Sequence, residues 1–195
     1  MAARDKTRLA VVVGGGNILR GRDTTDMDRT VADRAGMIAT SINGIRLTEA
    51  LNHLVPAVHL SAFGIPSFVE RYTVERGRAE LDAGRILVLS GGTGNPFFST
   101  DSAAALRAAE LNLDVILKGT NVKGVYSADP KKNPRARFYA ELTYEQAIEE
   151  KLAVMDLAAF TLCMERRIPI HVFDIDRPKA IIETIQGKPI GSRIC

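Results

Sequence analysis

Arg85-Ile-Leu-Val-Leu-Ser-Gly-Gly-Thr-Gly-Asn-Pro-Phe-Phe-Ser-Thr-Asp-Ser-Ala-Ala-Ala-Leu-Arg-Ala-Ala-Glu-Leu111 is the stretch on which the reading of the fold turns. Residues 85–90 form an apolar run of strand length, and residues 102–111 carry an alanine-rich helical pattern. Between them lies the glycine-rich segment 91–101. Strand, glycine turn and helix start, in that order, place backbone N–H groups where they can face an anion. Read as a plain connector, the same residues make a tight loop with Thr100 or Asp101 capping the helix. The adjacent Phe97 and Phe98 suit a plain turn poorly and predict the wall of a ligand pocket.

A second strand end of this kind lies upstream. Leu9-Ala-Val-Val-Val13 has the pattern of a strand buried on both faces, and Gly14-Gly-Gly-Asn17 follows it. Three glycines let a ligand approach the backbone, and Arg20 is placed to add charge to a phosphate; a simple tight turn is the other reading. Glycine is absent at position 19, where a dinucleotide fingerprint needs it, and no Gly-Lys-Ser/Thr of a P-loop occurs. Residues 26–54 carry Met27, Val31, Ala35, Ile38, Ile42, Ile45 and Leu51 at helical spacing, predicting one long or broken helix. Asp33 within it reads as a surface charge.

Further strands are predicted at 57–61, 114–118 and 169–173, with a final edge strand at 191–194. Helices are predicted at 74–83 (Thr73 as cap, Gly84 as stop), 144–151 (Thr143 as cap), 156–166 and 177–186. Lys118, at a strand's carboxyl end, either points into a ligand crevice or snorkels to the surface. The segment after it, with Thr120, Tyr126 and Asp129, is turn-rich. Strands alternating with helices imply one α/β domain over residues 1–195, built on a mainly parallel sheet.

Composition narrows the function classes. The 195 residues are 46% hydrophobic with a net charge of +3 and dispersed Lys and Arg, which excludes a strong nucleic-acid footprint. No apolar run reaches membrane-span length, no secretory signal leads the chain, and Cys163 and Cys195 form no disulfide framework or metal spacing. His53, His59 and His171 share no metal spacing, and His171 inside a strand reads as structural. The expectation is a cytoplasmic protein with no protein-held metal.

Taken together, Val11-Val-Val-Gly-Gly-Gly-Asn-Ile-Leu-Arg-Gly21, Ala32-Asp-Arg-Ala-Gly-Met-Ile-Ala-Thr40, the loop at 92–104, Val125-Tyr-Ser-Ala-Asp-Pro130 and Val154-Met-Asp-Leu-Ala-Ala-Phe160 resemble the bacterial uridylate kinases (UMP kinases) of the amino acid kinase superfamily. The resemblance implies a three-layer α/β/α, carbamate kinase-like fold. It also implies transfer of the γ-phosphoryl group of Mg-ATP to UMP, giving UDP and ADP in pyrimidine nucleotide biosynthesis, usually by a homohexamer. By resemblance, Gly15, Asp33, Thr93, Gly94, Asn95, Pro96, Phe97, Phe98, Ser99 and Thr100 would hold UMP. Gly16, Arg20, Thr120, Tyr126 and Asp129 would hold ATP, with Mg2+ accompanying it. Lys118, Asp101 and Asp156 are catalytic candidates, the lysine neutralising phosphate oxygens and the carboxylates orienting a lysine or the metal-bound phosphates.

The chain departs from the family pattern at its start. Members open with a strand and a Lys-Leu-Ser-Gly-type loop on the ATP phosphates. Here residues 1–8 read as the tail of the helix that follows, so the expectation is an N-terminally truncated kinase of weak or no activity. Asn121 and Lys123 stand where members often have Lys and Asp. GTP or UTP regulation is a further possibility of the family, although residues 48–61 show no matching set. A non-catalytic nucleotide-binding or scaffold subunit, and a kinase for another acceptor, are the competing functions.

Overall fold

The computed structural model describes residues 7–20, 26–152 and 154–195. Gly21 and residues 1–6 of the expected helix tail at 1–8 lie outside the described residues, and Thr7 and Arg8 are not helical. Contacts divide the chain into two compact units, Met1–Ala104 and Ala105–Cys195.

The first unit is built on strands β1 (Ala10–Val12), β2 (Ala57–Ser61), β3 (Glu70–Arg71) and β4 (Ile86–Ser90), with helices α1 (Arg29–Asn52) and α2 (Val74–Asp82). The strand order is β1-β4-β2-β3 and every pairing is parallel. Val88 lies opposite both Val11 and His59, so β4 is central, and Leu87, Val88 and Leu89 are buried. β1, by contrast, is half-buried along its length, which corrects its reading as buried on both faces. A run of β-branched residues marks a strand but does not report how many neighbours cover it, and among the described residues β1 pairs only with β4.

Helix α1 is unbroken through Asn43 and Gly44 and starts at Asp28, whose side chain accepts the Thr30 N–H at 2.8 Å. Its apolar stripe marks the helix but does not face the sheet: Val31, Ile38, Ile42 and Ile45 are exposed. The buried face consists of Ala32, Ala39, Thr40, Ser41 and Gly44, small residues that let the helix approach β2 and β4 closely. At Gly44 a side chain would strike the ring of His59 on β2, 2.3 Å from Nε2. Helix α2 has its expected Thr73 cap and ends before Gly84 at φ +76°. Its buried Glu80 pairs with Arg76 and with Arg85, 2.5 Å away at the threshold of β4.

His59 has a consequence for stability. Its Nε2 lies 2.8 Å from Ser90 Oγ, which in turn lies 3.1 Å from Ser41 Oγ. Burial in this contact pushes its pKa below the ordinary value of 6.5. The folded state therefore favours the neutral ring, and the unfolded chain takes up a proton first as pH falls. The resulting stability is complete above about pH 6.5 and is lost as pH falls through that value toward the folded pKa. The melting temperature should fall on acidification below pH 6.5, and His59→Gln should remove that part of the dependence.

Helix α3 (Thr100–Leu111) passes from the first unit into the second. The second unit contains β5 (Ile116–Thr120), β6 (Val125–Tyr126), β7 (Phe138–Tyr139), β8 (Glu141–Leu142), α4 (Tyr144–Glu149), α5 (Leu157–Arg166), β9 (Ile170–Asp174), α6 (Ala180–Ile185) and β10 (Ser192–Ile194). Its main sheet runs β5-β9-β10-β8, with β10 antiparallel to β9 and parallel to β8. β10 is thus an inner strand, not the expected edge. β5 starts two residues later than its apolar run, because Leu113 N–H still closes onto Ala108 C=O at the end of α3. Lys118 consequently sits in mid-strand, opposite Val172, instead of at the carboxyl end. Thr143 caps α4 with a full capping box through Gln146. The core joins Ala105 and Ala108 of α3 to Ile116, Phe160, Cys163, Ile170, Val172 and Ile194. Tyr144 stacks edge-on against Phe160 at 5.1 Å and donates its hydroxyl to Ile168 C=O; burial raises its pKa. His171 is structural as expected, its Nε2 bonded to Ile190 C=O at 2.5 Å.

Candidate active site

The parallel order β1-β4-β2 puts the carboxyl ends of three strands side by side, the place where open parallel sheets bind ligands. Both glycine-rich segments leave from this edge. After β1, the N–H groups of Ile18 and Leu19 close onto Gly15 C=O at 2.9 Å, and Asn43 of α1 donates to Gly14 C=O and to Asn17 Oδ1, each at 2.7 Å. Arg20 turns back so that its Nε donates to Gly16 C=O at 3.2 Å, which brings its guanidinium over the loop. A Cβ on Gly14 would lie 3.5 Å from Thr100 Oγ1, so this loop adjoins the start of α3.

After β4, Gly91, Gly92 and Gly94 all have positive φ, and so does Phe97 at +71°. Left-handed conformations are easy for the glycines and costly for a phenylalanine. The surroundings hold Phe97 there: its N–H donates to Asp33 Oδ2 at 2.9 Å, and Arg29 Nε contacts both oxygens of the same carboxylate at 2.9 Å. Arg29 also lies 5.8 Å from the centre of the Phe97 ring. Thr93 and Asn95 bond to each other across the turn, Asn95 N–H to Thr93 Oγ1 at 3.2 Å. Phe97 and Phe98 are 67% and 54% exposed, so they form an open rim rather than a packed wall.

The cap of α3 is Ser99, not Thr100 or Asp101. Its Oγ accepts the N–H groups of Asp101 at 3.0 Å and Ser102 at 3.2 Å. The helix begins at Thr100, two residues earlier than expected, which puts Thr100 and Asp101 inside the first turn, where the Asp101 carboxylate complements the helix dipole. Gly15, Gly16, Arg20, Asp33 and residues 93–101 thus gather at one sheet edge of the first unit.

The other candidates belong to the second unit. Thr120 ends β5 and its hydroxyl bonds to Val122 C=O at 2.8 Å. Tyr126 on β6 packs its ring 5.3 Å from Phe138, and Lys123 sits 4.5 Å over the other partner's ring, that of Phe138. Asp129 Oδ1 accepts the Lys131 N–H at 2.9 Å, which makes a local turn. Asp156 caps α5, accepting the Ala159 N–H at 3.0 Å.

Comparison with known proteins gives the family of the chain. Residues 1–174 match the family model described as the amino acid kinase family. The chain belongs to the amino acid kinase family. Solved structures similar to it include the UMP kinase of Ureaplasma parvum, at 43% identity and a TM-score of 0.90 over 95% of this chain and 80% of that one. The UMP kinase of Bacillus anthracis is 34% identical, with a TM-score of 0.92 over 96% of this chain and 79% of that one. The uridylate kinase of Archaeoglobus fulgidus is 29% identical, with a TM-score of 0.75 over 97% and 86%. The mixed α/β architecture with its parallel sheet is the fold of these kinases. Membership makes the protein a phosphotransferase.

Three residues of α1 that bond to these loops or to Asp33 are not among the candidates named from sequence: Arg29, Asn43 and Thr40, the last of which only closes the 32–40 stretch. A signal for them exists. Asp33, Gly36, Thr40 and Asn43 recur at spacings of three and four on the helix face opposite the apolar stripe. A polar and small face of that kind, buried against a sheet, indicates bonding to loops.

Proposed function

We propose that this amino acid kinase is a UMP kinase, transferring the γ-phosphoryl group of Mg-ATP to UMP to give UDP and ADP for pyrimidine nucleotide synthesis. The observation that carries the reading is the joint placement of the 14–20 and 91–101 loops at one sheet edge, with Asp33 tied to Phe97 N–H. The likeness to UMP kinases at 43% and 34% identity supports it. Gly15, Asp33 and residues 93–100 hold UMP. Positive-φ glycines turn backbone N–H groups toward its phosphate, and the Phe97–Phe98 rim meets the base. For ATP, the resemblance offers Gly16 and Arg20 in the first unit and, separately, Thr120, Tyr126 and Asp129 in the second.

The nucleophile is a UMP phosphate oxygen, already ionised at neutral pH, so the protein's work is alignment and charge neutralisation. Arg20 in the first unit and Lys118 in the second are the cations offered to phosphate oxygens, and the carboxylates of Asp101 and Asp156 are offered to orient a lysine or metal-bound phosphates. Mg2+ arrives with ATP. An ion of this kind is held chiefly by the nucleotide phosphates, with few protein ligands. In this reading residues 1–195 belong to one kinase domain that works in the cytoplasm. The exposed Val31, Ile38, Ile42 and Ile45 stripe is the surface a second copy would cover in a homo-oligomer.

An acceptor panel tests the reading. With Mg-ATP fixed, ADP release should be fastest with UMP, and the product should be UDP. Equal rates with carbamate, an amino-acid carboxylate or another nucleotide would reject UMP as the acceptor, and UMP binding without turnover would make the protein a non-catalytic nucleotide-binding subunit.

A further inference from the structure

We infer that Thr40 is a positioning residue for UMP, holding the 91–100 loop to the helix turn that also supports Gly15. The inference rests on the UMP kinase reading above. Thr40 is 6% exposed and its hydroxyl has a fixed polarity: Oγ1 donates to Met37 C=O at 2.6 Å. Its lone pairs are then directed outward from the helix, and one accepts the Gly91 N–H at 2.7 Å. Gly91 is the first left-handed residue of the loop, at φ +77°, so this bond sets the direction in which the chain leaves β4. The same helix turn backs the other loop. A Cβ on Gly15 would lie 2.7 Å from Gly36 C=O and 3.0 Å from Thr40 N. One turn of α1 therefore fixes both glycine loops, and the Thr40 hydroxyl is the part of it that reaches the second.

Ser41 provides the control. It is the next residue, 2% exposed, and its hydroxyl bonds to Ser90 Oγ inside the core without bonding to the loop. Thr40→Val keeps the shape of the side chain and removes the acceptor; Thr40→Ser keeps the acceptor. UMP affinity measured by calorimetry should fall about tenfold in Thr40→Val, the scale of one lost buried hydrogen bond. It should return to within about threefold of wild type in Thr40→Ser. Affinity for a non-hydrolysable ATP analogue should not change in either. Ser41→Ala should lower the melting temperature and leave UMP affinity unchanged. If Thr40→Val does not fold, Thr40→Ala takes its place. Unchanged UMP affinity in Thr40→Val or Thr40→Ala, or equal losses in Ser41→Ala, would overturn the positioning role while leaving the UMP kinase reading intact. Wild-type protein that binds no UMP would overturn both.

Discussion

Asp33→Ala is expected to lower kcat/KM for UMP by about a hundredfold or more, with KM for ATP close to wild type. The Asp33 carboxylate accepts the N–H of Phe97, a non-glycine residue held at φ +71°, and gathers Arg29 against it. Charge-assisted hydrogen bonds of this kind contribute about 1.5–3 kcal/mol each, and each 1.4 kcal/mol is tenfold in rate. Without the carboxylate, Phe97 relaxes from its left-handed conformation and the 93–98 loop loses the shape that the UMP site needs. Asp33→Asn retains one acceptor oxygen and should fall between wild type and alanine. Steady-state kinetics with UMP and ATP varied separately check the result; a loss confined to the ATP term would contradict the assignment.

Gly15→Ala is the second large effect. The added Cβ would meet two backbone groups of α1, Gly36 C=O at 2.7 Å and Thr40 N at 3.0 Å, and would crowd Ala39 Cβ at 3.1 Å. Helix backbone does not yield as a flexible side chain does, so the 14–17 loop must move. Overpacking of this kind costs about 1–3 kcal/mol of stability, and the moved loop should leave UMP turnover barely measurable. Gly14→Ala is the comparison: its Cβ would meet only Thr100 Oγ1 at 3.5 Å, ordinary contact, and the variant should melt with wild type. Thermal melts and turnover of the two variants side by side check the contrast.

Much of this architecture is legible in the sequence because local chemistry decides it. The run 86–90 followed by glycines specifies β4 and its loop, Thr73 and Thr143 cap the helices that follow them, and Gly84 and Gly187 end helices at positive φ. What stays hidden depends on neighbours distant in sequence. The orientation of α1 is the clearest case: its apolar stripe predicts a helix, yet the sheet takes the small face, because close backbone approach at Gly44 favours small residues over isoleucine. The inner position of β10 depends on pairing with β8 and β9, which its three residues do not encode. The two-residue strands β3, β6, β7 and β8 are too short for any periodicity to show.

The candidate site divides the same way. Its glycine loops are motifs and can be read directly, whereas the residues that hold them, Arg29, Thr40 and Asn43, are distributed on a helix face. Asp33, bland as a lone helix carboxylate, acquires meaning from Phe97 N–H, 64 positions away in the chain.

On the proposed function, the strand-end loops of the first unit receive UMP. Hydrogen exchange followed by mass spectrometry, on the protein alone and with saturating UMP, tests it most directly. Exchange should slow in peptides covering 12–20, 29–40 and 91–101, with 118–131 unchanged by UMP and slowed instead by a non-hydrolysable ATP analogue. Protection of 118–131 by UMP, with 91–101 unaffected, would contradict it.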